Sequence, residues 1–147
     1  MSLVNLIWVY GGLARATIVC AAACIWGGSE GRIVGATFWV AWVASLVVES
    51  YGHDRPGVLV PLIDTFVLLV FIGVSVKTRR LWTLLAAASQ LDDVASHFGQ
   101  QLIHYGGYSY ITATGIWGGY FLIGCIFAGI VDHQWSLNRR QSSFGTA

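Results

Sequence analysis

Between Asp93 and Asp132 the chain carries no Asp, Glu, Lys or Arg, and the same is true from Ile33 to Val48. Apolar runs of this kind point to a bilayer, since about 20 such residues on a helix cross roughly 30 Å of hydrocarbon. Five stretches stand out once the charges are marked: about 3–26, interrupted by Arg15; 32–49; 58–76, containing Pro61 and Asp64; 81–104; and 108–131. Composition agrees. Of 147 residues 56% are hydrophobic and 10% charged, and mean hydropathy is +0.67. A soluble domain this small needs far more polar surface, and a disordered chain needs the opposite balance. The fold class expected is all-α, a polytopic transmembrane helix bundle. It forms one domain over residues 1–135, and residues 136–147 read as a polar, flexible cytoplasmic tail. A β-barrel is disfavoured because runs such as Val67 to Val76 do not alternate. A cleaved signal peptide is not expected, since no Lys or Arg precedes Arg15.

Topology follows from the basic residues. Lys77, Arg79 and Arg80 sit between the third and fourth stretches, and Arg139 and Arg140 follow the fifth. The positive-inside rule assigns both groups to the cytoplasm. Five crossings satisfy this with the N-terminus outside and the C-terminus cytoplasmic, in a bacterial inner membrane. Four crossings, the alternative, strand one basic group outside. The fourth stretch is the critical one, because Asp92 and Asp93 stand in its middle. It is read as spanning, since it lacks the Lys and Arg that hold amphipathic helices on a lipid surface.

On a helix at about 100° per residue, Ser89, Asp92, Asp93, Ser96, His97, Gln100 and His104 share one half of the fourth stretch. An Asp at the centre of a spanning helix costs about 2.5–3.5 kcal/mol on insertion scales, so this stripe must face protein or water. Helical rise places Arg15 and Asp93 near the same mid-depth and Asp64 near the depth of His97. The expectation is a buried network of Arg15, Asp64, Asp92, Asp93, His97, Gln100 and His104, with Arg15 paired to Asp93 or Asp92. Three roles fit such a network: a structural lock on helix register, a proton, ion or small-ligand path, or a metal site from Asp64, Asp93, His97 and His104. Haem on His97 or His104 lacks a second histidine at matching depth.

Other features are plainer. Gly115 and Gly119, with Thr114 and Gly118 one position back, make two rows for close helix packing. Trp8, Tyr10, Trp26, Trp82, Tyr108, Tyr110 and Trp135 fall near span ends, where amphipathic rings anchor; Trp39, Trp42 and Trp117 lie deeper. Cys20, Cys24 and Cys125 lie in apolar runs without zinc-finger spacing. No phosphate loop, dinucleotide fingerprint or nucleophile elbow is present, and no basic stripe offers a site for nucleic acid. Catalytic residues, resident metal and cofactor are unassigned, and the lack of a soluble domain disfavours an enzyme. The layout resembles small bacterial inner-membrane proteins in architecture only. The partners expected are the lipid bilayer and other membrane subunits or further copies of the chain. The function expected is an accessory or structural subunit of a membrane assembly. A small transporter or proton or ion conductor is the alternative, and a membrane-embedded metal-dependent enzyme comes third.

Overall fold

A computed structural model describes residues 3–51, 58–103 and 114–144. Among them only Gly27, Val58, Arg79 and Arg80 fall outside helices, and there is no strand. The helices are α1 (Leu3–Trp26), α2 (Gly28–Tyr51), α3 (Leu59–Thr78) and α4 (Leu81–Ile103). A π-helical segment (Thr114–Phe121) then runs directly into α5 (Leu122–Phe144). Two stretches, Gly28–Val48 and Leu59–Thr78, are long and apolar enough to cross a membrane, and Gly11–Trp26 is a shorter apolar helix. Residues 52–57, with His53, Asp54 and Arg55 between the second and third stretches, lie outside the described residues, as do Tyr108, Ser109 and Tyr110. So do the side chains of Trp8, Tyr10 and Trp117.

Two corners set the packing. Between α1 and α2 the turn is shorter than the Gly-Ser-Glu-Gly run suggests, for α2 already begins at Gly28. Gly28 has φ +68, and a Cβ there would lie 2.7 Å from the His133 ring. Only glycine suits both the left-handed backbone and the contact. Between α3 and α4, Arg79 takes the left-handed conformation (φ 54) and donates its N–H to Ser75 O at 2.8 Å, closing α3. Thr83 Oγ1 donates to Arg80 O at 2.7 Å, tying the first turn of α4 to the corner.

The helices then pack in a ring of neighbours. α1 lies against α2 and α5, α2 also against α3, and α4 between α3 and the π segment with α5. One end is fixed by Gln134 Nε2 donating to Trp26 O at 2.9 Å and by an Arg80–Asp132 ion pair at 2.9 Å. Arg32 belongs to this end too, donating to Cys24 O at 2.9 Å. The core holds Ala16, Cys20 and Ala23 from α1, Val34 and Phe38 from α2, and Val67 and Phe71 from α3. α4 and α5 add Trp82, Ala86, Leu122, Cys125, Ile126 and Ile130.

The outside is apolar. Phe66, Leu69 and Val76 on α3 are 64%, 63% and 71% exposed, and Ile18, Val40, Leu91, Phe98 and Phe127 are exposed as well. Thr83, Ser89, Gln90, Asp93 and His97 are buried. That distribution reverses what water selects in a small globular domain.

Three sequence expectations change. The last helix continues to Phe144, through most of the stretch read as a tail; Arg139 over the Trp135 ring, one turn back, supports it there. Residues 114–121 are π-helical rather than α-helical. Trp82 is no boundary anchor: it is 5% exposed, lies against Gly129, and its indole N–H has no hydrogen-bond partner among the described residues. A Cβ at Gly129 would fall 2.8 Å from that ring, whereas Gly124 has nothing within 4 Å. Gly129→Val is therefore expected to lower stability by about 1–3 kcal/mol through overpacking, whereas Gly124→Ala, in open space, should leave it unchanged or raise it by up to about 1 kcal/mol. Loss of helicity under SDS titration of the detergent-solubilised protein measures both.

Candidate functional site

Polar groups on α3 and α4 fall on matching interior stripes. On α3 the stripe runs through Asp64, Leu68, Phe71 and Ser75, and on α4 through Thr83, Ala86, Gln90, Asp93 and His97. Alternating steps of three and four keep each stripe on one face. The tight corner sets the two in register. Thr78 Oγ1 and Thr83 Oγ1 meet at 3.2 Å beside it, and equal steps back along α3 and forward along α4 reach Asp64 and His97. His97 Nε2 lies 2.9 Å from Asp64 Oδ2. Gln90, two turns earlier on α4, directs Nε2 to Asp64 Oδ1 at 3.4 Å and to the Asp64 backbone carbonyl oxygen at 3.5 Å.

Asp93 completes the cluster. It is 8% exposed, and among the described residues its carboxylate accepts no hydrogen bond. One ligand atom from each of Asp64, Asp93 and His97 lies within 4.8 Å of the others. The fourth wall is the π segment, where a Cβ on Gly118 would stand 2.5 Å from Asp93 Cγ. A backbone without a side chain is what admits Asp93 to the interior. π-helical turns are rare and recur at functional sites. Gly118 faces Asp93, and a Cβ on its neighbour Gly119 would lie 3.7 Å from the Trp42 ring. The two packing rows expected from Gly115–Gly119 and Thr114–Gly118 fall within this π-helical segment.

The other expected members are placed differently. Arg15 does not pair with Asp93 or Asp92. It is exposed; its Nε donates to Gly11 O at 2.9 Å, one amino group donates to Tyr120 Oη at 3.3 Å, and the guanidinium lies 4.9 Å over the Tyr120 ring. The depth estimate and the direction part company here. Arg15 meets Tyr120 and Asp93 meets Gly118, so they stand at nearly one level with the π segment between them. Asp92 is exposed too, because adjacent helical residues point about 100° apart and cannot both face inward. Ser96 is half-buried and donates to Asp92 O at 2.8 Å. The side chain of Gln100 and the whole of His104 lie outside the described residues. Gln90 was missed, although steps of three and four back from His97 through Asp93 reach it.

Two carboxylates therefore face one imidazole and one amide in a water-poor interior. Charge there is costly without compensation, so the cluster attracts positive charge: a proton or a cation. Asp64→Leu removes the acceptor of both Gln90 and His97 and is expected to destabilise the fold by about 1–3 kcal/mol. Ser96→Ala should stay within about 0.5 kcal/mol; SDS-induced unfolding followed by circular dichroism compares the two. No protein-family model, curated protein or solved structure matches this chain.

Proposed function

We propose that this chain is a five-span integral membrane protein of a bacterial inner membrane that binds a small cation in its bundle interior and passes it across the bilayer. The apolar exterior and polar interior support the membrane reading, since lipid rewards the first and forces the second to find partners. Arg32, Arg79, Arg80 and the Arg139–Arg140 pair belong to one end of the antiparallel bundle, which supports cytoplasmic placement of that end and an external N-terminus. The observation that carries the cation reading is the convergence of Asp64, Asp93 and His97 within 4.8 Å of one another. A purely architectural lock is less well supported, because among the described residues the guanidinium at that level, that of Arg15, is directed at Tyr120 instead.

A second reading, self-association within the membrane, rests on a separate observation. Arg15 and Asp92 are both exposed at the level of the π segment, and among the described residues neither has an ion-pair partner. Charges of opposite sign at one depth in lipid are matched when Arg15 of one copy meets Asp92 of another. This is the form in which a subunit role is retained.

Three outcomes are expected. In proteoliposomes the wild-type protein dissipates an imposed pH or metal-ion gradient faster than empty vesicles, Asp93→Asn abolishes the effect, and Ser96→Ala retains it; equal leak in all samples removes the reading. In a background lacking the native cysteines, Gly52→Cys labels from outside and Ser142→Cys only from inside; labelling from one side overturns five crossings. Arg15→Asp and Asp92→Arg each reduce the oligomer mass on native electrophoresis, while the double variant restores it. A monomeric wild-type chain ends the second reading.

A further inference from the structure

We infer that the cation held by this cluster is a divalent transition-metal ion of the zinc, manganese or iron class, ligated by Asp64, Asp93 and His97. The inference rests on the proposed cation-handling role and narrows it to one ligand chemistry. Charge is the first argument. Two carboxylates and a neutral imidazole with one divalent ion form a neutral unit, whereas one proton or one alkali cation leaves a negative charge in the interior. Ligand type is the second. Imidazole with carboxylates suits transition metals, while calcium and magnesium sites are built from oxygen.

Geometry is the third. His97 Nε2 and Asp64 Oδ2 are 2.9 Å apart, and all three ligand atoms fall within 4.8 Å. Metal–ligand bonds of about 2.0–2.2 Å call for ligand atoms roughly 3.3 Å apart in a tetrahedral site. Rotation of Asp93 supplies the contraction, since no hydrogen bond from a described residue holds its carboxylate and Gly118 leaves its approach open. A second carboxylate, Asp93, 8% exposed and brought within 4.8 Å of the Asp64 and His97 ligand atoms, is the observation that distinguishes a ligand set from a lone Asp–His pair. Gln90 takes the supporting place, its amide N–H directed at Asp64 Oδ1 and fixing that carboxylate's orientation. Three protein ligands leave one coordination position open, as in sites whose metal exchanges ligands rather than closed structural sites.

The test uses the full-length protein in detergent, stripped with chelator and dialysed against Zn2+, with Co2+ as the spectroscopic probe. One Zn2+ per chain is expected, together with the intense visible absorption of four-coordinate Co2+. Excess Mg2+ or Ca2+ should displace neither. Asp93→Asn and His97→Ala lose saturable binding, Gln90→Ala weakens it by about 10-fold, and Asp132→Asn and His133→Ala, at the other end of the bundle, leave it unchanged. The wild-type spectrum decides the matter even where a variant fails to fold. A weak six-coordinate Co2+ spectrum, sub-stoichiometric Zn2+, or binding that survives both ligand substitutions overturns the metal assignment. Proteoliposomes that still dissipate a proton gradient through Asp93 would then leave the broader cation reading standing; loss of both removes both.

Discussion

A two-residue corner decides what meets in the interior of this bundle. Arg79 and Arg80 alone separate α3 from α4, and so short a connection leaves the helices little freedom to slide. The left-handed Arg79 and the hydrogen bonds of Ser75 and Thr83 close the corner. Asp64 and His97 then meet because they lie the same number of residues from the Thr78–Thr83 contact beside it. A slip of one residue on either side would turn one of them about 100° away from the other.

The cluster depends equally on an omission. Asp93 reaches the interior because Gly118, in the π-helical segment 114–121, presents no side chain. Two neighbouring glycines there meet two different helices, Gly118 facing Asp93 on α4 and Gly119 facing Trp42 on α2. Local backbone geometry and placement of a charged group are thus one problem here. The same segment separates Arg15 from Asp93, with Tyr120 taking the guanidinium on one side while Gly118 takes the carboxylate on the other.

Much of this was legible in the sequence. The boundaries of α1, α3 and α4 lie within a residue or two of the apolar runs, because charged and turn-forming residues end each run. The depth of each ionisable group along its helix was readable from rise per residue. Azimuth was harder. Asp92 and Asp93 look alike in sequence, and only the heptad-like spacing through Thr83, Ala86, Gln90 and His97 selects Asp93 as the inward one. The same spacing would have found Gln90, a polar residue with no charge to draw the eye. Trp82 shows the reverse error, for a tryptophan near a helix end reads as a boundary anchor until Gly129 provides a flat surface beneath it.

What the sequence by itself determined is the all-helical class, the extent of α1, α3 and α4 and the apolar character of the outer surface, since these follow from local composition and periodicity. It also set the level of each charge. Tertiary structure alone decided which charges face one another. That choice depends on helix order around the bundle and on the π-helical winding of 114–121, neither of which local sequence specifies. Opposite charges at one depth, such as Arg15 and Asp93, come into contact only if no helix stands between them, and here the π-helical segment does.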